Sequence, residues 1–158
     1  MNPFLLVLIR YVLHIRSAFY WLFRPLSVRV RGIVLNSKDE VLLIRHPYDD
    51  RFWYLPGGGI KRKERLSDAL HRELNEELGF EQLQMQKLVG VYTDLASYRS
   101  DVVVVILART TELPKPNKWE IKEARFFALD ALPPNLARST RERLSDWLSP
   151  QEVYAEKW

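Results

Sequence analysis

The chain of 158 residues has no cysteine. That excludes disulfides, thiolate zinc sites and a cysteine nucleophile, though it says little about compartment. Internal repeats and low-complexity tracts are also absent, which removes repeat arrays. Wholesale disorder is excluded by composition, because 47% apolar and 28% charged residues are ordinary for a globular protein. At this length there is room for one domain with a real core and little else. A net charge of +4 and a pI near 9.4 suit anionic substrates or an acidic membrane surface, but are too diffuse to argue for nucleic acid, which is not expected as a partner.

Residues 1–25 differ sharply from the rest of the chain. They hold an apolar run from Phe4 to Ile9 and an aromatic-rich stretch ending Phe19-Tyr20-Trp21-Leu22-Phe23, punctuated by Arg10, His14, Arg16 and Arg24. A transmembrane helix needs ~20 residues with few charges, and this segment has arginines and a histidine inside it. Wound as a helix it places Arg10, His14, Ser17 and Arg24 on one face and apolar side chains elsewhere, as an in-plane membrane helix does. It lacks a basic n-region and a small-residue cleavage site, so a removable signal peptide is not expected. Three readings stand, in this order: residues 4–23 contact an anionic membrane surface; they pack on the domain or on a second copy in a homodimer; they span the membrane. The expected location is cytoplasmic, with peripheral membrane association under the first reading.

Pro25 ends that helix, and a single domain is expected over residues 26–149, with 150–158 as a tail. Val28 to Leu35 alternates like a half-buried strand, and Asn36 to Asp39 turns into a second strand from Glu40 to Arg45. Trp53 to Leu55 reads as a short strand, Leu88 to Thr93 and Val102 to Arg109 as two more. The last of these, with its VVVVILA run, is expected to be buried on both faces. After a loop from Leu113 to Trp119, Ala124 to Leu129 is a final strand and Asn135 to Leu148 a closing helix with Leu136, Leu144, Trp147 and Leu148 inward. Strands and helices alternate only partly, so an α/β fold with a mixed sheet flanked by helices is expected.

The segment from Gly58 to Phe80 carries the chemistry. Ser67 serves as N-cap and Gly79 as the residue after the C-cap, and no Pro or Gly falls between, so a short helix is expected over 67–78. Leu66, Leu70, Leu74 and Leu78, with Ala69, form its buried stripe. Glu73, Glu76 and Glu77 fall on a neighbouring face at i, i+3 and i, i+4, where like charges cost ~0.2–0.5 kcal/mol per pair. A hard divalent cation offsets that repulsion, since Mg²⁺ takes oxygen ligands and leaves positions for water and substrate phosphates. Arg72 reaches Glu76 one turn on or Glu64 across the loop, and can fix a carboxylate's orientation. Gly57, Gly58 and Gly59 let backbone approach metal or phosphate where a Cβ would obstruct it.

The pattern Gly58, Glu64, Arg72-Glu73-Leu74, Glu76-Glu77 and Gly79 resembles the signature of the Nudix hydrolases, which cleave diphosphate bonds linking a nucleoside to another group. Only the final apolar slot, Phe80, departs slightly, being aromatic where an aliphatic is commoner. The resemblance extends with less specificity over Val28 to Leu148. It implies an α/β/α sandwich and a Mg²⁺ cofactor, with Mn²⁺ as a substitute. It also implies Glu73, Glu76, Glu77 and the Gly57 carbonyl as metal ligands, with Glu64 and Arg72 supporting the loop–helix–loop and Gly58 opening it. An acidic residue from a late loop often completes such a site as general base. Glu120 is better placed for this than Glu123, with Glu76 and Arg72 as the other catalytic candidates.

Candidates for substrate contact are His46 and Tyr48 at the mouth, Trp53 or Tyr54 for stacking on a base, with core packing an equal reading of both, and Arg99 in the loop with Tyr98 and Asp101. Asp49 and Asp50 read as a surface turn. The expected activity is Mg²⁺-dependent hydrolysis of a P–O–P bond in a small nucleoside diphosphate derivative such as a nucleotide sugar or ADP-ribose. The alternatives are a nucleoside triphosphate pyrophosphohydrolase, 5′-triphosphate RNA as a third substrate, and a non-catalytic binding or regulatory module.

Overall fold

A computed structural model describes residues 27–94 and 101–149. The N-terminal helix expected over residues 1–25, the tail 150–158, and Tyr98 and Arg99 lie outside the described residues. In chain order the elements are β1 (Ser27–Leu35), β2 (Val41–His46), β3 (Asp49–Tyr54), α1 (Leu66–Leu78), β4 (Gln84–Asp94), β5 (Asp101–Arg109), β6 (Glu123–Phe127) and α2 (Arg138–Leu148).

The strands form one mixed sheet in the order β3-β2-β1-β5-β4, with β6 paired to β2. β1 and β5 run parallel in unbroken register from Ser27↔Asp101 to Leu35↔Arg109. β4 is antiparallel to β5, and β2 is antiparallel to β3 and β6. β1 meets β2 at Leu35↔Val41, after a turn in which the Asn36 side chain accepts the Lys38 and Glu40 amides. Beyond that junction the free edge of β1 is taken by the glycine loop. Val30 N–H donates to Gly58 O at 2.9 Å, Gly32 N–H to Pro56 O at 2.9 Å, and Ile60 N–H to Val28 O at 3.1 Å. Buried backbone needs such partners, so the loop that carries the motif is laid down as a substitute strand.

Two apolar layers sandwich the sheet. On one face Ala69, Leu70, Leu74 and Leu78 of α1 pack with Val30, Val34, Leu42, Ile44, Val104, Ile106 and Phe80. On the other, Leu144 of α2 joins Ile33, Leu43, Trp53, Leu107 and Leu136. This is the expected α/β/α sandwich. β5 is buried on both faces from Val104 to Leu107, as its unbroken apolar run implies.

Several boundaries differ from the sequence reading. α1 starts at Leu66 rather than Ser67: Arg65, with φ −75° and ψ 153°, occupies the N-cap position and makes no side-chain cap. Ser67 donates instead to its neighbour Asp68. Leu66, one turn beyond the core, is exposed, and so is Leu148 at the end of α2. Asp49 and Asp50 belong to β3 rather than to a turn, because that strand pairs back on His46. α2 begins at Arg138, three residues later than read, with Asn135 and Leu136 instead tied to β3 through Trp53. Gly79 has φ 70° and returns its amide to Asn75 and Leu74, the helix stop its position implies.

Candidate active site

The glycine loop and α1 are fitted together by the absence of side chains. A Cβ on Gly58 would collide with the Glu73 carboxylate, and a Cβ on Gly57 with the Val30 carbonyl oxygen. Gly57 also sits at φ 126°, a conformation open in practice only to glycine. Gly59 faces open space. The backbone of residues 57 and 58 therefore lies directly against the acidic face of α1.

Arg72 organises the outer part of that face. Its Nε donates to Glu64 Oε1 at 2.7 Å and its Nη2 to Glu64 Oε2 at 3.0 Å, a bidentate pair. Nη1 reaches Glu73 Oε1 at 2.7 Å and Glu76 Oε2 at 3.3 Å, and Nη2 also reaches Gly59 O at 2.9 Å. Glu64 accepts the Lys61 amide as well at 2.8 Å. The Arg72 hydrogen bonds pull the Glu64 carboxyl down to about 2, and that pairing raises Arg72 above its already high value. Arg72 thus serves both candidates offered from sequence, Glu64 and Glu76, and Glu73 besides. Glu76 is half-exposed and also meets Lys61 Nζ at 3.7 Å.

Glu77 has a different environment. It is 6% exposed, and its Oε2 accepts the Gly57 amide at 3.3 Å. Burial pushes its carboxyl up to about 7; Arg31 and the Gly57 amide oppose that shift, while the Glu73 and Glu120 charges reinforce it. Arg31 donates to Leu55 O at 3.3 Å and to the Gly57 carbonyl. Sequence reasoning missed Arg31, which alternates in β1 like a solvent-facing residue and is enclosed only because the glycine loop covers that edge. Desolvation lowers its pKa, with the Glu77 charge opposing.

The late loop closes on the same place. Asn117 N–H donates to the Glu77 carbonyl at 2.8 Å, and Glu120 comes next on an exposed turn, close enough for its charge to act on Glu77. Glu123 lies on β6 in an ion pair with Arg45, whereas the Glu120 charge acts on Glu77. His46 Nδ1 is 3.1 Å from Glu120 O. A carbonyl only accepts, so Nδ1 carries the proton, and burial holds the imidazole below its usual pKa. Tyr48 stacks on His46 at 4.8 Å with 12° between planes and is 82% exposed. Trp119, beside Glu120, is 93% exposed.

Trp53, read from sequence as a surface for stacking on a base, is 5% exposed and packs edge-on against Phe127 with Arg45 over its ring. Its strand pairing with β2 and its contact with Leu136 place it in the core, so the substrate-contact reading of Trp53 is corrected and the core-packing one holds. Tyr54 donates to Asp49 at 2.6 Å. Among the described residues the exposed aromatics near the site are Tyr48 and Trp119, and Trp119 had as its signal a large apolar residue inside a proline-rich polar loop.

A divalent cation would find an all-oxygen donor set here, the chemistry such ions require. The buried Glu77 carboxyl, raised by desolvation, fits such an occupant. As the side chains stand, no group of three or more acidic or histidine residues among those described converges on one point. Glu73 is drawn to Arg72, Glu76 lies between Arg72 and Lys61, and Glu77 is turned to the Gly57 amide.

Comparison with known proteins bears on this geometry. The family model described as NUDIX domain matches residues 25–148. A nucleoside triphosphatase from Escherichia fergusonii is 43% identical over 135 residues, covering 80% of this chain and 86% of that protein. An RNA pyrophosphohydrolase from Pseudomonas savastanoi is 44% identical over 66 residues, 42% of this chain; the chain spans only 39% of that relative's length. Among solved structures, a MutT NUDIX hydrolase from Burkholderia pseudomallei superposes with a TM-score of 0.64 at 28% identity, covering 77% of this chain and 97% of that one. An ADP-ribose pyrophosphatase from Streptococcus suis gives a TM-score of 0.61 at 26% identity, covering 82% and 96%.

Proposed function

Because the chain belongs to the Nudix family, we propose that it hydrolyses a P–O–P bond in a small nucleoside-linked substrate. The observation that carries this reading is the fit of the glycine loop onto α1, in which Gly58 makes room for Glu73 while Gly57 meets the buried Glu77. Nudix hydrolases generally use divalent metal ions, typically Mg²⁺. Here Glu73, Glu76 and Glu77 would hold the ion, with the Gly57 carbonyl as a further donor once released by Arg31. Bound there, Mg²⁺ would polarise the phosphoryl oxygens and make a water more acidic.

The chain's own groups do the rest. The Glu120 carboxylate takes the proton of the attacking water as the new P–O bond forms and the bridging P–O bond breaks. Arg72 fixes the orientation of the Glu73 and Glu76 carboxylates. Arg31 places positive charge beside Glu77 and the glycine backbone, where the substrate's phosphates arrive. Tyr48 and Trp119 offer the ring faces on which a nucleobase stacks, with His46 beneath Tyr48. Glu120→Gln should lower turnover much more than Glu123→Gln with metal affinity unchanged; equal small effects would move the base elsewhere.

The group beyond the diphosphate separates two readings. A nucleoside diphosphate derivative such as a nucleotide sugar or ADP-ribose comes first, supported by the likeness to the Streptococcus suis ADP-ribose pyrophosphatase. A nucleoside triphosphate is the second, supported by the Escherichia fergusonii relative, matched over most of its length. Phosphate and nucleotide release with Mg²⁺, measured across nucleotide sugars, ADP-ribose, nucleoside triphosphates and 5′-triphosphate RNA, decides between them. No turnover of any member would sink the enzymatic reading and leave the binding module.

A further inference from the structure

Between Ile60 and Leu66 four of five residues are cations: Lys61, Arg62, Lys63 and Arg65. All four are exposed. The fifth, Glu64, is committed to Arg72, and Lys61 reaches Glu76. Arg62, Lys63 and Arg65 form no ion pair among the described residues. Their position opposes the fold. They stand at the start of α1, where the helix dipole favours anions, with Arg65 itself in the uncapped N-cap position. Lys63 also takes φ 62°, a backbone region that suits glycine better. Nothing in the described domain rewards this concentration of charge, so the reward lies outside it.

The loop's location says what it meets. Ile60, one residue before it, is hydrogen-bonded to Val28, and Gly59 bridges Arg29. The cationic loop therefore leaves the sheet where residues 1–26 join the domain at Ser27. Val28 and Leu66, on either side of it, are exposed apolar residues. The joining segment is the apolar, aromatic-rich stretch with Arg10, Arg16 and Arg24. One membrane signal alone binds weakly and reversibly, whereas an apolar element together with a polybasic patch holds. The cationic loop lies beside Val28 and Arg29, next to the residue at which that segment joins the chain.

We propose that the Lys61–Arg65 loop docks on anionic phospholipid headgroups, acting with the apolar segment that enters at Ser27. Lys61 lies 3.7 Å from Glu76, so docking sets the carboxylates of α1 at the bilayer surface. On the proposed function, that orientation presents the site to diphosphates at or near the membrane. An RNA strand fits less well, because the cations are confined to one turn flanked by apolar residues and form no track along a strand.

The test uses the full-length protein and its R62S/K63S/R65S variant, which spares every residue placed in the site. Sedimentation is measured with phosphatidylcholine vesicles with and without phosphatidylglycerol. Wild type should bind the anionic vesicles and release at high salt. The variant should bind them more weakly by about fivefold per cation removed, on the order of a hundredfold in all, with an unchanged melting temperature. Hydrolysis of a soluble nucleotide should keep its kcat and KM. Equal vesicle binding by both proteins would overturn the proposal. So would a variant that binds vesicles normally but shows a raised KM, which would make the loop a subsite for substrate phosphate, or one that loses only RNA binding. Absence of hydrolysis by either protein would refute the enzymatic reading while leaving the vesicle result to stand or fall by itself.

Discussion

α1 and α2 lie on opposite faces of one sheet, and neither begins with a side-chain cap. Both are short and amphipathic, yet they treat charge in opposite ways. On α2 Arg138 and Glu142 pair at 2.8 Å, one turn apart in solvent, and Arg143 reaches Asp146 at 3.4 Å while lying over the Tyr92 ring. These are contacts of a helix whose task is to cover a core. On α1 Glu77 is buried without a cation side chain in direct contact among the described residues, and Arg72 is spread over three carboxylates and a carbonyl. Burying a charge without a close partner is costly, so α1 gives up stability that α2 keeps. Amphipathic pattern alone does not separate a covering helix from a working one; the burial of its acids does.

The sharpest way to break this contrast is to neutralise one acid on each helix. Glu76→Gln and Glu77→Gln should each lower Mg²⁺-dependent turnover by more than ~10²-fold while Glu142→Gln leaves it unchanged. Near-full activity of either α1 variant at saturating Mg²⁺ would refute its assignment as a ligand.

A second difference concerns pH in the metal-free protein. The Glu77 carboxyl is raised to about 7 by burial, so its neutral form favours the fold, and that contribution is complete below the ordinary carboxyl pKa. It is lost as pH rises through about 7. With chelator present, the unfolding free energy from chemical denaturation should therefore fall between mildly acidic and mildly alkaline pH by up to a few kcal/mol, at ~1.4 kcal/mol per pKa unit. Mg²⁺ should remove the fall, as should Glu77→Gln. A flat profile in chelator would show that Glu77 ionises without cost.

Smaller effects come from the glycine run that faces α1 and has no counterpart at α2. Gly58→Ala pushes on the Glu73 carboxylate, a movable group, so the fold should survive while turnover falls by about tenfold, ~1.4 kcal/mol in barrier. Gly59→Ala meets nothing within 4 Å and should leave turnover unchanged. Smallest of all, Arg138→Ala on α2 should leave the chemical denaturation midpoint unchanged, because its ion pair with Glu142 stands in solvent.

Much of this was legible along the chain because it is local. The Gly57–Gly59 run, the acids of α1, the Gly79 stop and the Leu70, Leu74 and Leu78 stripe depend on spacing within a few turns. Arg31 was not legible, since its enclosure comes from a loop some 26 residues on, at Gly57. Trp53 stayed open between stacking and core packing for the same reason: strand pairing and Leu136 decide its burial. Ser67 looked like a cap, but a good capping residue has no effect once the chain turns helical one residue before it. That Glu120 lies in the late loop and Glu123 at the start of a strand was legible, and the structure adds an ion pair that ties Glu123 to Arg45.

The glycine loop that takes the place of a strand beside β1 has a consequence for observation. The Val30 and Gly32 amides donate to the Gly58 and Pro56 carbonyls, both on the loop. They can trade hydrogen for deuterium only when the loop lifts from the sheet, a local opening distinct from global unfolding. Those two amides are therefore built-in clocks for the integrity of the site. Their exchange should slow when an ion or a phosphate clamps Gly57 and Gly58, while amides within α2 keep their pace.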